Sequence, residues 1–183
     1  LIWVGRAHQD TKRIFDLIPF MKELVRNSPQ VHLSIVGPFT WDISEADYRK
    51  RIKDAGLGDY VSLVGPKTHS ELIEYYENSD IAISTSIIEG FPISLIEASN
   101  FGLPIVMYEL PWLWIAERNK GVTGVPQGDY ASLAQAVIKI SKNPELYRSM
   151  SQAAVEKIEE LKSVDFLQLY DGLIKNSLSD KYS

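Results

Sequence analysis

Residues 80–97 read DIAISTSIIEGFPISLIE, and this stretch predicts a strand, a turn and a helix in immediate succession. The run 80–86 is short and bounded by polar residues, as expected for a buried strand of a parallel sheet. Gly90 lets the chain turn sharply, and Pro92 can begin a helix because its missing N–H has no helical partner to lose. The N–H groups at a helix start attract anions. The segment therefore predicts an anion-binding loop where a parallel strand ends.

Two carboxylates lie on either side of this predicted helix start. A pyrophosphate bound there would leave Glu89 in reach of one sugar hydroxyl and Glu97, more than a turn further along, in reach of another. Two alternatives stay open on the pair alone: a general acid and base for glycoside hydrolysis, or an exposed Glu97 without a ligand. The helix start at Pro92 favours phosphate binding over hydrolysis.

The same order of strand, turn and helix recurs along the chain. Short apolar runs alternate with longer stretches of helical periodicity, which predicts an α/β fold with a mostly parallel sheet. The predicted strands are 1–4, 31–36, 60–64, 81–84, 104–108 and 122–125. Three of them end at Gly5, Gly37 and Gly65, so glycine-containing loops meet at one edge of the sheet. In open α/β sheets, ligands bind at that edge.

The predicted helices begin at residues whose side chains can cap them. These are Asp16, Ser44, Thr68, Asp129, Asn143 and Ser163. A chain of 183 residues is long enough for one well-packed domain and too short for a second independent core. We expect a domain over 1–173 and a polar tail over 174–183. Because the chain starts inside a predicted strand, we expect it to be an excised domain whose N-terminal part is missing.

Composition and short motifs exclude several function classes. A net charge of −5 argues against a nucleic-acid-binding surface, and the absence of cysteine excludes disulfides and thiolate chemistry. No apolar run approaches the roughly 20 residues that cross a bilayer. His8, His32 and His69 have no partners at metal-ligand spacing, so we expect no metal site. There is neither a Gly-x-Gly-x-x-Gly fingerprint nor a Walker lysine loop. We expect a cytoplasmic location, with peripheral attachment at the inner face of the membrane left open for the full-length protein.

A cluster of cations follows the first predicted strand. Arg6 comes directly after Gly5, and Lys12 and Arg13 follow a short polar loop that contains His8. The topology places these cations at the same edge as Glu89, where a guanidinium and an ammonium can neutralise a diphosphate. The alternative is a solvated basic loop without a ligand.

Two large aromatic residues follow the fifth predicted strand. Trp112 and Trp114 flank Leu113 and can line a sugar pocket, but large aromatic residues more often pack in the core. We expect core packing for both.

Taken in order, these motifs resemble a known family, the group-1 (family 4) retaining glycosyltransferases of the GT-B fold. The resemblance is to their C-terminal, donor-binding half, and it extends from residue 1 to about 173. It implies a Rossmann-like domain with about six strands and helices on both faces. It is carried by the Gly5-Arg6 to Lys12 loop, the strands ending at Gly37 and Gly65, the Glu71-Leu72, Tyr76 and Ser79-Asp80 positions, and the Glu-Gly-Phe to Glu-Ala block at 89–98.

The resemblance also implies roles for individual residues. Arg6 and Lys12 match the pair that holds the donor diphosphate and stabilises it as it leaves. Glu89 matches the carboxylate that contacts the transferred sugar, and Glu97 matches the one that binds the ribose hydroxyls. The implied phosphate-binding loops contain Gly5, Gly90, Phe91, Pro92, Ile93 and Ser94. Phe91, Ile93 and Ser94 would contribute their backbone amides. The implied contacts to the base are Pro66 and Lys67.

The implied activity is transfer of a hexose, with retention, from a nucleotide sugar such as a UDP- or GDP-sugar. The acceptor would be a saccharide or lipid-linked saccharide, as in surface polysaccharide synthesis. No metal or other cofactor is implied, and the isolated domain would be inactive without the N-terminal acceptor-binding domain. Two rival hypotheses are a nucleotide-sugar epimerase of the same architecture and a non-catalytic nucleotide-binding module.

The sequence departs from the family pattern in two places. Relatives usually carry Lys-Gly where this chain has Lys12-Arg13, and they often carry paired glycines where residues 110–117 read LPWLWIAE. The first departure implies a different loop shape or a third cation, and the second puts donor contacts from 110–117 in doubt.

Overall fold

The structure is a computed structural model that describes residues 1–163. It consists of a parallel sheet with a helix between successive strands, except between β5 and β6, where the chain forms turns. The strands are β1 (Ile2–Val4), β2 (Leu33–Val36), β3 (Val61–Gly65), β4 (Ala82–Ser84), β5 (Ile105–Tyr108) and β6 (Val122–Val125). The helices are α1 (Leu17–Asn27), α2 (Glu45–Asp54), α3 (His69–Glu77), α4 (Ile93–Asn100), α5 (Tyr130–Ser141) and α6 (Pro144–Lys162). All six predicted strands are present. The helix expected after Ser163 and the tail 174–183 lie outside the described residues.

The six strands lie in the order β3-β2-β1-β4-β5-β6, and every neighbouring pair is parallel. This confirms the predicted α/β, Rossmann-like fold. The direction of the strand order reverses between β1 and β4, which pair at Ile2 and Ala82. The loops that leave these two strands therefore turn toward opposite faces of the sheet and open a crevice at their carboxyl ends. Such a crevice is where open α/β sheets bind ligands.

Two hydrophobic clusters cover the two faces of the sheet. Alternate strand residues contribute to each, because side chains of a strand point to opposite faces. On one face, Trp3 and Ile35 pack with residues of α1, α2 and α5. On the other face, Ile2 and Val36 pack with residues of α3, α4 and α6. Helices therefore cover both faces, as the resemblance implies.

Four of the expected helix caps are present. Ser44, Thr68, Asp129 and Asn143 each accept a hydrogen bond from a backbone N–H in the first turn of the following helix, and Thr68 forms a complete capping box with Glu71. These caps each stabilise a helix by roughly 1 kcal/mol.

The expected cap at Asp16 is wrong. A 3-10 turn at Ile14–Asp16 precedes α1 and keeps Asp16 in a helical conformation, with φ −68° and ψ −20°. Its carboxylate makes no capping hydrogen bond. Instead it accepts a hydrogen bond from the Tyr108 hydroxyl at 2.9 Å, which links the loop after β1 to the end of β5.

Gly90 does not have its expected role, whereas Gly37 directly follows β2 as predicted. Gly90 does not have a positive φ, and a Cβ at that position would meet no atom within 4 Å, so the turn itself does not require glycine. Gly37 has a φ of 134°, and a Cβ there would lie 1.9 Å from the Gly5 carbonyl oxygen. Gly37 thus allows the loops after β1 and β2 to approach closely.

Candidate functional site

The loops that follow β1 and β4 are joined at the carboxyl edge of the sheet. The Ile87 N–H donates to the Thr11 carbonyl oxygen at 2.8 Å, and the Thr85 hydroxyl donates to the Lys12 carbonyl oxygen at 2.7 Å. Thr85 is fully buried. These two hydrogen bonds fix the backbone of Lys12 against the loop that carries Glu89.

The Lys12 ammonium and the Glu89 carboxylate form an ion pair across this junction. Both side chains are largely buried, with 19% and 14% of their surfaces exposed. The two residues are 77 positions apart in the sequence, and both were predicted as site residues. In a partly buried setting the attraction between the charges is stronger than at an exposed surface. The structure therefore brings the predicted cation and the predicted carboxylate together in one place.

Arg6 lies at the same edge but has a different environment. It is exposed, and it forms no ion pair with any residue in the range 1–163. Its backbone is fixed on both sides, because the Gly5 N–H donates to the Val36 carbonyl at 3.0 Å and the Ala7 N–H donates to the Pro38 carbonyl at 2.8 Å. A guanidinium on a fixed backbone is available to an anionic ligand.

The start of α4 presents backbone donors near Glu89. Within residues 1–163, the amides of Phe91 and Ser94 have no hydrogen-bond acceptor. The Ile93 amide donates to the Phe91 carbonyl at 3.0 Å, so it is not the free donor that we expected. The tight turn through Pro92, which is the residue before the helix, brings that carbonyl within reach. Two of the three expected amides remain available, and the open space next to Gly90 leaves room for a ligand.

Glu97, on α4, is held by two side chains of α3. Its Oε2 accepts a hydrogen bond from the Tyr76 hydroxyl at 3.0 Å, and its Oε1 lies 3.5 Å from Nδ1 of His69. Burial, and then the adjacent Glu97 carboxylate, raises the pKa of the Tyr76 hydroxyl well above its usual value of about 10. Tyr76 therefore stays a proton donor at neutral pH and fixes one oxygen of Glu97.

The loop after β3 reaches the same region. Pro66 is exposed, and Lys67 lies 3.6 Å from Glu71 with its ammonium 5.8 Å from the centre of the Tyr75 ring. His69, two positions after Lys67 and the first residue of α3, contacts Glu97. The structure thus brings the end of this loop close to Glu97.

Sequence reasoning missed the contacts of Asp16 and Arg13. Arg13 has a φ of 50°, a left-handed conformation that costs a residue other than glycine of order 1 kcal/mol. Its Nε lies 3.5 Å from the Asp16 carboxylate, which also binds the Tyr108 hydroxyl. Arg13 therefore adopts a conformation that glycine takes at lower cost, and Asp16 stabilises it. The sequence signal was Lys12-Arg13 in place of the Lys-Gly that the family resemblance implies.

The two tryptophans differ in the structure. Trp114 is partly buried against the second cluster, and the Lys157 ammonium lies 4.3 Å from the centre of its ring, which agrees with the expected packing. Trp112 is 60% exposed, and its Nε1–H donates to the Glu89 carbonyl oxygen at 3.0 Å. The expected core packing is wrong for Trp112, because the turn after β5 directs it toward the Glu89 loop.

A cavity of about 790 Å³ lies at the opposite, amino edge of the sheet. Leu1, Asp80 and Tyr147 are among the residues that line it, and no lysine or arginine does. It therefore lacks the lysine and arginine side chains that bind phosphate. For this reason the carboxyl edge, which has such side chains, is the better candidate site in spite of the size of this cavity.

Among residues 1–163, no three His, Cys, Asp or Glu side chains are grouped as a metal site would need. No helix in that range has the length and apolar composition to span a membrane.

Residues 1–157 match the family described as "Glycosyl transferases group 1". The chain belongs to this family. It is 33% identical over 124 residues to the amylovoran biosynthesis glycosyltransferase AmsK of Erwinia amylovora, covering 63% of this chain and 30% of AmsK. It is 30% identical over 166 residues to D-inositol 3-phosphate glycosyltransferase 2 of Catenulispora acidiphila, covering 85% of this chain and 38% of that protein.

Solved structures of glycosyltransferases share the fold. A point mutant of TarM from S. aureus, in complex with Fondaparinux, alpha-GlcNAc-glycerol and UDP, superposes with a TM-score of 0.76 at 26% identity, covering 87% of this chain and 32% of that one. This confirms the GT-B assignment. The chain spans about a third of the length of these relatives.

Proposed function

We propose that this chain is the donor-binding part of a retaining glycosyltransferase. The full-length enzyme would move a hexose from a nucleoside-diphosphate sugar to a saccharide or lipid-linked saccharide, in the synthesis of a surface polysaccharide. The observation that carries this proposal is the ion pair of Lys12 with Glu89 at the β1/β4 crevice, beside the start of α4. A cation, a carboxylate and two backbone amides without an acceptor among residues 1–163 therefore belong to neighbouring loops at one edge of the sheet.

The diphosphate of the donor would bind between the loop after β1 and the start of α4. Arg6 and Lys12 supply two positive charges, and the amides of Phe91 and Ser94 supply hydrogen bonds at the positive end of the helix. The space next to Gly90 allows the phosphates to approach the backbone. The sugar nucleotide would extend past Glu97, which binds the ribose hydroxyls, toward a base held at Pro66 and Lys67.

Binding of the diphosphate would require Lys12 to change its partner. In the structure the Lys12 ammonium is paired with Glu89. A diphosphate carries more negative charge than one carboxylate, so it competes for the ammonium, and Glu89 then becomes available to a hydroxyl of the transferred sugar. Glu89 would thus contact the sugar only when the diphosphate is in place.

In the transfer step, the bond between the anomeric carbon and the β-phosphate oxygen breaks while the acceptor oxygen bonds to the same face of that carbon. The departing phosphate oxygen takes the proton of the acceptor hydroxyl. Arg6, Lys12 and the start of α4 stabilise the charge that develops on the diphosphate. We propose that no metal is required, because these groups supply the stabilisation that a divalent cation would give.

The comparisons favour this proposal over its rivals. The family is one of glycosyl transferases, which favours transfer over epimerisation or a non-catalytic role. AmsK acts in amylovoran biosynthesis, and the TarM complex contains UDP, so a UDP-sugar donor and a polysaccharide product are the first choices to test. Acceptor recognition would depend on an N-terminal domain, without which the chain would be inactive. The net charge of −5 gives no support to a nucleic-acid partner.

The proposal is tested by NMR titration of the chain with UDP, GDP and ADP. We expect one of them to shift the amide signals of Arg6, Phe91 and Ser94 in a saturable way, with smaller changes at Val31 and Tyr147 on the amino edge. A folded chain that shows no saturable shift with any of the three at millimolar concentration would contradict the proposal. Shifts confined to the amino-edge cavity would contradict it equally.

A further inference from the structure

Trp112 exposes an aromatic ring beside the backbone of Glu89, whose carboxylate pairs with Lys12. The residue is 60% exposed, and its indole N–H donates to the Glu89 carbonyl oxygen at 3.0 Å. That hydrogen bond uses only the N–H edge of the ring. Much of the remaining aromatic surface faces solvent, although burial of a tryptophan side chain is normally favourable.

Buried neighbours and hydrogen bonds hold the backbone that carries Trp112 in spite of this exposure. Leu110 and Leu113, on either side of the turn, are 1% and 2% exposed, and the Leu113 N–H donates to the Leu110 carbonyl at 2.9 Å. The Gln127 amide group lies 3.1 Å from the Glu109 carbonyl oxygen and 3.4 Å from that of Ile87, so it links this turn to the Glu89 loop. A ring presented on a fixed backbone loses little conformational freedom when it binds a ligand.

Other exposed apolar side chains lie in the same place. Seven large apolar side chains are exposed within residues 1–163, and four of these belong to Trp112 and the segment around Glu89. The three besides Trp112 are Ile88, Phe91 and Ile93, with exposed fractions between 60% and 64%. Scattered exposed apolar residues are normal, but a group next to buried charges indicates a binding surface.

We propose that Trp112 is a stacking platform for a pyranose ring. A pyranose presents C–H groups on its faces and hydroxyls at its edge, so it needs an apolar plane and a nearby hydrogen-bond acceptor. Trp112 supplies the plane, and the Glu89 carboxylate supplies the acceptor. The Trp112 indole N–H also holds the Glu89 loop through the Glu89 carbonyl oxygen. The inference rests on the proposed function. The ring is either the transferred sugar of the donor or the sugar of the acceptor that receives it.

The test compares Trp112→Ala with Trp112→Phe. Alanine removes both the ring and the N–H, whereas phenylalanine keeps an aromatic plane and loses only the hydrogen bond to Glu89. The chain is titrated with the free nucleotide that it binds, UDP or GDP, and with the corresponding glucose and N-acetylglucosamine nucleotides. The full-length enzyme carrying each variant is assayed for KM toward its acceptor saccharide.

We expect Trp112→Ala to leave the affinity for the free nucleotide within about twofold of wild type. If the platform holds the donor sugar, the nucleotide-sugar affinity falls about three- to tenfold; if it holds the acceptor, the acceptor KM rises by that factor at nearly constant kcat. Trp112→Phe should retain most of the lost binding in either case. Trp41→Ala is the matched control, because Trp41 is 95% exposed and makes no hydrogen bond to the Glu89 loop.

Three results would overturn the platform. In one, Trp112→Phe is as defective as Trp112→Ala, which means that only the hydrogen bond to the loop matters. In another, affinity for the free nucleotide falls as much as affinity for the nucleotide sugar. In the third, Trp112→Ala changes neither sugar affinity nor acceptor KM. In all three, the wild-type chain still binds the nucleotide, so these results contradict only the role of Trp112. A wild-type chain that binds no nucleotide would contradict both this role and the proposed function.

Discussion

The two carboxylates of the site, Glu89 and Glu97, are fixed in different ways. Glu89 lies in a loop and pairs with a cation, Lys12, that a phosphate can take away. Glu97 lies on α4 and accepts a hydrogen bond from Tyr76, whose hydroxyl stays protonated at neutral pH. Under the proposed function this difference favours different tasks: Glu89 would change its partner when the donor binds, and Glu97 would hold a hydroxyl in one position throughout.

The largest effect should come from Glu89→Gln in the full-length enzyme. Loss of the carboxylate that contacts the sugar should lower kcat by a factor of about 10² to 10⁴. The same change leaves Lys12 without its partner, so the affinity for UDP or GDP should rise about threefold to tenfold. Steady-state kinetics and calorimetric titration measure the two effects.

In Glu89→Gln, kcat should fall while nucleotide affinity rises, and the prediction depends on these opposite signs. Glu117→Gln is the matched control, since Glu117 is exposed on the neighbouring segment and forms no ion pair within residues 1–163. Nucleotide affinity that stays the same or falls in Glu89→Gln would show that Lys12 does not exchange between the two partners.

Lys12→Met should have the next largest effect. Removal of a charge-assisted hydrogen bond to phosphate should weaken nucleotide binding about ten- to a hundredfold. Inorganic pyrophosphate should be affected to the same extent, because Lys12 contacts only the phosphates. Lys22→Met, an exposed lysine on α1, should change neither affinity. Equal binding by wild type and Lys12→Met would remove Lys12 from the site.

Glu97→Gln should have a smaller and more selective effect. We expect about a tenfold loss of affinity for UDP or GDP, from one weakened hydrogen bond to ribose, and no change for pyrophosphate. Glu77→Gln, an exposed carboxylate at the end of α3, serves as the control. If Glu97→Gln weakened pyrophosphate binding as much as Lys12→Met does, the two carboxylates would not have separate tasks.

The smallest effect concerns the pH dependence of stability. The folded-state pKa of Tyr76 lies above its unfolded value of about 10, so the stability it contributes is complete below pH 10 and is lost as the pH rises beyond that value. Tyr76→Phe should lower the free energy of unfolding by about 1 kcal/mol at pH 7 and flatten its decline between about pH 9.5 and 11. Urea unfolding at several pH values measures this, with the exposed Tyr130→Phe for comparison. An unchanged decline in Tyr76→Phe would contradict the raised pKa of the Tyr76 hydroxyl.

The fold could be predicted from the sequence because its signals are local. The six strands follow from short apolar runs, and caps such as Thr68 with Glu71 act within a single turn. The cap expected at Asp16 failed because Tyr108, 92 residues away, competes for its carboxylate. No local pattern records such a contact.

The common location of the candidate site residues could be predicted from the sequence, but their pairing could not. Parallel strands bring Arg6, Lys12 and Glu89 to one edge, and this follows from the strand and turn pattern. Lys12 pairs with Glu89, and Arg6 stays exposed. This arrangement depends on the pairing of β1 with β4 and on loop contacts such as that of Thr85 with Lys12. The exposure of Trp112 depends in the same way on a turn whose direction the sequence does not specify.

The most direct test of the central claim is a crystal structure of the full-length enzyme with the nucleoside diphosphate bound. The distance to read is that from the Lys12 ammonium to the nearest β-phosphate oxygen. We expect about 2.8 Å, with the Glu89 carboxylate released toward the sugar position. An intact Lys12–Glu89 pair with the diphosphate bound elsewhere would contradict the account.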